Sequence, residues 1–289
     1  MAFCNAGSRE TWILMLGRGT KMAENFFLTG CASGMGRHLT DVLCKRGDRV
    51  YATDANYDAL RAAAQSLAWP EERVRTVALD VTDAEAWERV FADAVATWGG
   101  IDVAMNIAGL LLASWAHETP IREIDAQVDV NVKGVIYGTR IAARHMIERG
   151  KGHIINIASI AGVTPVPGLA VYAATKHAVR AYSLSAAMEL RPKGVYVTAV
   201  CPATVQTPML DNQVHNDAAE LFFSGYRILT LQDIEDAVLR RALTRRPLEI
   251  FVPAAKVKMV QLLGVFPRLG PYVLPLYKQS GRKRQQKRR

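Results

Sequence analysis

Cysteine is scarce in this chain of 289 residues, and the four present (Cys4, Cys31, Cys44 and Cys201) form no CxxC pair. That excludes a disulfide framework or a zinc ribbon and reads as reduced thiols. The six histidines are scattered, with no HxxxH spacing, so no metal site is expected. No apolar run reaches the ~20 residues needed to span a bilayer. The short run Trp12–Leu16 follows Arg9 and Glu10 and lacks a small-residue cleavage pattern after it, which makes a poor secretion signal. Internal repeats and linkers are also missing. With 50% hydrophobic and 22% charged residues, the composition excludes a disordered or collagen-like chain and fits a soluble globular protein, which the reduced thiols lead us to expect in the cytoplasm.

Charge is unevenly placed. The formal net charge is +9, and Arg282 to Arg289 hold six of the positive residues, without which the rest would carry +3. The basic balance therefore describes a tail. It has no aromatic interleaving or base-reading motif, so no specific nucleic-acid partner is expected. Before it, thirteen of the 21 residues from Val257 to Tyr277 are apolar or aromatic, interrupted by Gly264, Pro267, Gly270, Pro271 and Pro275. Prolines at that spacing should prevent a regular membrane-spanning helix. This segment is expected to cover the substrate loops as an apolar lid or to lie in a lipid interface. In the second case the basic tail would make peripheral contact with anionic headgroups. The chain thus divides into an N-terminal extension (1–23, with Met22 as an alternative start), one domain (24–255) and an apolar, then polybasic, extension (256–289).

Within 24–255, short apolar runs alternate with amphipathic stretches. The runs are Phe26–Leu28, Val50–Ala52, Val74–Leu79, Ile101–Met105, Ile154–Ile157, Val195–Val200 and Ile250–Val252. Each is brief and lacks period-two polarity, as buried strands of a parallel sheet do. Helical patterns between them include Gly36–Arg46, Ala84–Trp98, Asp125–Arg149 and Val171–Leu190. The expected fold is α/β: one doubly wound, Rossmann-like parallel sheet with helices on both faces.

The first strand runs into Thr29-Gly30-Cys31-Ala32-Ser33-Gly34-Met35-Gly36, where a helix begins. Glycines at such a turn let backbone N–H groups approach a pyrophosphate at the positive end of a helix. The second strand ends in Asp54, where a carboxylate can accept from both adenosine ribose hydroxyls and repel a 2′-phosphate. Ser33 precedes Gly34, and no Arg or Lys follows Asp54 until Arg61. These features favour NAD over NADP.

Ser159 follows the strand Ile154–Ile157, and thirteen residues later comes Tyr172-Ala-Ala-Thr-Lys176. On a helix, Tyr172 and Lys176 share a face. A nearby ammonium favours phenolate, so the tyrosine pKa is expected to fall from its usual ~10. Tyr172 would then suit proton transfer to or from a carbonyl/alcohol pair.

Taken together, these pieces resemble the short-chain dehydrogenase/reductase family over about residues 24 to 255. The matching motifs are Thr29–Gly36, Asp80-Val81, Asn106-Ile107-Ala108-Gly109, Asn131, Ser159, Tyr172-x-x-x-Lys176 and Pro202–Thr207. Ile107 stands where the family usually has a second Asn, and Ala203 where Gly usually follows Pro. The resemblance implies that Tyr172 transfers the proton, while Lys176 lowers its pKa and holds the nicotinamide ribose. It further implies that Ser159 bonds the reacting oxygen and that Asn131 supports a water relay. Gly30, Ser33, Gly34, Met35, Gly36 and Asp54 would hold the adenosine diphosphate side. Asp80 and Val81 would lie at the adenine, Asn106, Ala108 and Gly109 at the adenosine ribose. Pro202, Val205 and Thr207 would meet the carboxamide and phosphate end. It also implies a homodimer or homotetramer, for which the small residues Ala142, Ala143, Ala173, Ala174, Ala178, Ala186 and Ala187 would permit close helix packing.

Substrate choice falls to the loops Leu110–Thr119 and Pro208–Tyr226. Leu110, Trp115, Met209 and Phe222 there suggest a wide apolar pocket for a steroid-, retinoid- or fatty-type alcohol or ketone. Two rivals are an NADP-linked 3-oxoacyl carrier-protein ketoreductase, opposed by Asp54 and Ser33, and a silent dinucleotide sensor. A sensor has no need of Tyr172, Lys176, Ser159 and Asn131 together.

Overall fold

The computed structural model describes residues 23–224, 227–254 and 257–289. The expectations for residues 1–22, including Met22 as an alternative start, lie outside the described residues.

Seven parallel strands form one sheet: β1 (Asn25–Thr29), β2 (Arg49–Asp54), β3 (Val74–Ala78), β4 (Val103–Asn106), β5 (Gly152–Ile157), β6 (Val195–Pro202) and β7 (Glu249–Val252), in the order β3-β2-β1-β4-β5-β6-β7. Each strand is short, and all but the edge strand β3 are mostly buried on both faces. One face packs Leu28, Val50, Met105 and Ile250 against helices, and the other packs Phe27, Tyr51, Ala104 and Ile154. Strand order reverses between β1 and β4, so a crevice opens beyond their carboxyl ends.

The connecting helices are α1 (Gly34–Arg46), α2 (Tyr57–Ser66), α3 (Ala84–Trp98), α4 (Ile121–Val128), α5 (Gly134–Glu148) and α6 (Ala170–Leu190). Short helices α7 (Pro208–Asp211), α8 (Leu231–Asp236) and α9 (Leu243–Arg245) follow. The pattern read as one helix over Asp125–Arg149 is two, joined by a wide π turn at Asp129–Lys133. One extra residue per turn leaves the apolar periodicity nearly intact, and such turns often mark functional positions. This one carries Asn131.

A buried polar network ties the sheet to the helices beneath it. The Asn106 side-chain amide donates to Asn156 Oδ1 at 2.8 Å, and Asn156 Nδ2 donates to Ser183 Oγ at 3.0 Å. Most of the alanines offered for subunit packing serve the same interior: Ala142, Ala143, Ala173, Ala186 and Ala187 are buried within this one chain.

Two more helices, α10 (Val257–Val265) and α11 (Gly270–Gln286), end the chain. The prolines interrupt this stretch less than expected. Pro267 opens a single 3₁₀ turn, Pro271 falls in the first turn of α11 where no backbone donor is lost, and Pro275 lies inside it. Among the described residues, no helix is long and apolar enough to cross a membrane.

Candidate active site

The crevice beyond β1 and β4 is a cavity of about 340 Å³. Its walls include Gly30, Ser33, Gly34, Met35, Gly36, Asp54, Asp80, Val81, Ala108, Gly109, Leu110, Thr207 and Met209. Two glycines make it possible. Gly30 has φ +73°, and a Cβ there would lie 2.8 Å from Ala108 Cα; a Cβ on Gly36 would lie 2.0 Å from the Gly30 carbonyl oxygen. Thr29 Oγ1 draws the two strand ends together by accepting from Ile107 N at 3.0 Å and Ala108 N at 3.1 Å.

Helix α1 points its N-terminus into this cavity. Ser33 makes no side-chain cap, and the first turn has no acidic residue. The positive end of the helix is therefore not neutralised by its own first turn, an arrangement that receives a phosphate group. Asp54 lines the same wall and accepts from Ala32 N and Asn56 N, both at 2.9 Å. A carboxylate has about four acceptor sites, so two remain for ribose hydroxyls. Asp80 Oδ1 accepts from the backbone and hydroxyl of Thr82. These residues fit a dinucleotide.

Asn106 departs from its expected place at the adenosine ribose. It is buried, and its amide donates to Asn156 and Thr139 beneath the sheet. Strand register decides this, since Asn106 sits directly beside Asn156. Its role is to hold β4 against β5 and α5.

The four expected catalytic residues lie at the next step along the carboxyl edge. Asn131 Oδ1 accepts from Leu110 N at 2.7 Å, while its Nδ2 donates to Leu110 O at 2.8 Å and to Thr175 Oγ1 at 3.1 Å. One side chain thus joins the π turn, the loop after β4 and α6. Lys176 is buried, with its ammonium donating to Ile157 O at 2.9 Å and lying 5.7 Å from the centre of the Tyr172 ring. Ser159 caps a 3₁₀ turn, its Oγ accepting from Ala161 N at 3.1 Å. Gly162, which the motif reading passed over, lets α6 approach: a Cβ there would lie 2.5 Å from the Lys176 carbonyl oxygen.

The expected lowering of the tyrosine pKa does not occur in this protein as folded. Burial pushes the Tyr172 phenol up to about 12, with a hydrogen bond from Ser159 pulling the other way. The same burial pushes Lys176 down to about 8. Desolvation penalises whichever form is charged, and both groups respond by favouring neutrality. Burial is the largest cause of both shifts.

On the substrate side, Ser159, Tyr172, Lys176, Pro202, Val205, Thr207, Met209 and Phe222 surround a cleft of only about 50 Å³. In place of the wide apolar pocket expected from the loops the cleft is narrow, with Met209 and Phe222 among its lining residues. Leu111, Leu210 and Phe223 are buried against one another as the interior of this cover. The cover is stitched down by Gln213 Nε2 to Leu111 O at 3.3 Å and Asn216 Nδ2 to Ala113 O at 2.7 Å. Trp115 lies outside the cleft, partly buried, with Lys278 Nζ 5.2 Å from its ring centre.

A family model described as short chain dehydrogenase matches residues 24–218. The chain is 35% identical over 212 residues to an uncharacterized oxidoreductase of Staphylococcus aureus, covering 73% of this chain and 87% of that one. It is likewise 35% identical over 215 residues to an NADP-dependent 3-hydroxy acid dehydrogenase of Salmonella typhi, covering 73% and 86%. A solved short chain dehydrogenase/reductase from Burkholderia phymatum, in complex with NAD, superposes with a TM-score of 0.77 at 24% identity. That likeness covers 86% of this chain and 95% of the other, and it establishes the shared fold.

Burying Lys176 should cost stability in a pH-dependent way. Below pH 8 the folded protein carries the buried charge and its full penalty. Between about 8 and 10.5 the unfolded chain binds more protons, so stability rises with pH as the penalty disappears. Lys176→Met should therefore be more stable than the native protein at pH 7, by about 1–3 kcal/mol, with the gap narrowing through that window and closing above pH 10.5. Urea denaturation across that range measures it, and a gap independent of pH contradicts the assignment.

Proposed function

This chain belongs to the short-chain dehydrogenase/reductase family, and on that premise we propose that it is an NAD(H)-dependent oxidoreductase interconverting a secondary alcohol and a ketone, or a lipophilic alcohol and its aldehyde. The observation that carries this reading is the convergence of Tyr172, Ser159 and Lys176 on one cleft beside the glycine-lined cavity. A nicotinamide cofactor, when bound, supplies or accepts the hydride. Gly30 to Gly36, Asp54 and Thr207 would hold it. Tyr172 gives its phenolic proton to the carbonyl oxygen in reduction and takes it back in oxidation. Ser159 hydrogen-bonds the same oxygen and fixes its direction. A phenol held protonated by burial is in the correct state to donate, which suits reduction. Lys176 supports Tyr172 from below, and Asn131 holds the backbone around both.

The apolar side chains of Met209 and Phe222 over the cleft support an apolar substrate, of steroid, retinoid or fatty type. A substrate of that bulk needs roughly 300–1,000 Å³, so these two residues would have to move aside to admit it. Turnover screening with steroids, retinoids and simple secondary alcohols discriminates among these classes. The reading fails if none of them is turned over with either cofactor. Three buried free cysteines, Cys31, Cys44 and Cys201, support a cytoplasmic setting.

Asp54 supports NAD. The 35% identity to an NADP-dependent 3-hydroxy acid dehydrogenase supports a second reading, an NADP-linked reductase of hydroxy- or oxoacyl substrates. Rates with both cofactors separate the two. The native enzyme should prefer NADH, and Asp54→Ala should narrow the preference by removing ribose acceptors and the repulsion of a 2′-phosphate together. A native preference for NADPH overturns the Asp54 argument.

Membership of the family is what supports a homodimer or homotetramer. Light scattering at micromolar concentration should give two or four times the 31.8 kDa chain mass, and a monomer contradicts it.

Tyr172→Phe tests the chemistry directly. The change removes one oxygen from a buried ring, so folding and NADH binding should persist. Turnover should fall by at least about 10²–10⁴-fold. A near-native rate excludes Tyr172 as the proton donor.

A further inference from the structure

The C-terminal extension divides into two parts with different surroundings. The last turns of α11 are fastened to the cleft's cover. Arg282 pairs with Glu220 at 2.7 Å, and the buried Gln285 donates to Gln213 O at 3.1 Å and Asn216 O at 2.7 Å. Gly281 lies so close that a Cβ would meet the Glu220 carbonyl oxygen at 2.0 Å. Arg288 and Arg289 reach Asp211 and Asp217. Much of the basic tail, expected to be solvated or spread on headgroups, is thus a clasp on the protein itself.

The turns before it are different. Leu262, Val265, Phe266, Leu269, Tyr272 and Leu276 make an apolar stripe along the sequence from α10 into α11, and all stay open to solvent. Tyr272 is 81% exposed and Leu276 71%. Elsewhere among the described residues, only Tyr57, Leu67, Ile121 and Met188 are large apolar side chains left this open, and they are scattered. Six such residues within fifteen, spread over the end of α10, the 3₁₀ turn and the start of α11, concentrate exposed apolar surface in one segment, as interaction sites do. The charge around the stripe is of one sign. Residues 254–289 hold ten Lys and Arg and no Asp or Glu, while the rest of the chain is within one unit of neutral.

We propose that this stripe docks on an anionic lipid surface. The apolar side chains would enter the boundary between headgroups and acyl chains, and the exposed cations Arg268, Lys283 and Lys287 would meet the headgroups. An apolar face combined with a basic patch is the two-signal arrangement that gives stable peripheral binding, with each cation near the surface worth about 1 kcal/mol. The alternative occupant, a second copy of the same face, would set the exposed cations Arg268, Lys283 and Lys287 of one chain against the same three of another, with no acid in either segment. Charge complementarity therefore selects the bilayer. Because α11 packs on the turn Asp217–Phe223, docking would also bring the cover of the cleft, with its Phe222, close to the lipid.

The test uses the full-length protein and sedimentation with vesicles of phosphatidylcholine alone or mixed with phosphatidylglycerol, at low and high salt. Binding should require phosphatidylglycerol and weaken with salt. The variant Phe266→Ser/Tyr272→Ser/Leu276→Ser alters only exposed positions and should keep the native circular dichroism and melting temperature. Its partitioning should fall by at least about tenfold. Lys283→Gln/Lys287→Gln should weaken binding further at low salt than at high salt. Failure of the native protein to bind mixed vesicles at low salt overturns the proposal. So does unchanged binding by the triple serine variant, which would mean adsorption of basic residues alone. A halved mass in solution for that variant would assign the stripe to a second copy instead. None of these readouts depends on turnover, so the outcome is separate from the proposed reaction.

Discussion

Burial of the Lys176 ammonium is the constraint around which this structure is arranged. A charge removed from water costs several kcal/mol unless it is partnered or neutralised. Here the response is both: the ammonium donates to the Ile157 carbonyl at the end of β5, and burial lowers its pKa. For that contact to exist, α6 must lie close against the loop after β5, which Gly162 permits. The π turn must also place Asn131 against the loop after β4, where it satisfies both polar groups of Leu110. Tyr172, one turn before Lys176 on the same helix, then has its position and its environment set together. The cleft inherits its low polarity from this packing.

The glycine-lined cavity and the cleft at Tyr172 share walls. Ile107 and Gly109 after β4, Met35 on α1, and Thr207 and Met209 before and on α7 line both. Thr29 tightens the first of these loops by accepting two backbone N–H groups, and the glycines on either side remove the side chains that would obstruct it. Over the cleft, a stitched cover carries Met209 and Phe222, and α11 is clasped onto that cover by Gln285 and Arg282. The C-terminal extension is therefore continuous with the substrate side of the molecule.

Much of this was legible in the residues. Seven brief apolar runs became seven parallel strands, because a strand buried on both faces has little choice of composition. Gly30, Gly34, Gly36 and Asp54 stood out because few residue types tolerate their backbone or chemical positions. What depended on tertiary environment was less legible. Asn106 looked like a cofactor contact, yet pairing with Asn156 turned it into the interior. The π turn at Asn131 hid inside a helical pattern that one extra residue barely disturbs. Tyr172 and Lys176 were recognisable as a pair from spacing, but the direction of the tyrosine shift followed from desolvation, which spacing does not record. The clasp at Arg282 and Gln285 was also hidden, since its partners lie about seventy residues earlier.

The central claim is that burial sets the protonation of the Tyr172–Lys176 pair, keeping the phenol protonated and making the lysine easy to neutralise. The most direct measurement is a pH titration of the free protein by NMR, with carbon-13 at lysine Cε and tyrosine Cζ and resonances assigned through Lys176→Met and Tyr172→Phe. Lys176 should titrate near 8 and Tyr172 near 12. A Lys176 that titrates at the ordinary lysine value, with Tyr172 below 10, would contradict the account and return the pair to simple attraction between ammonium and phenolate.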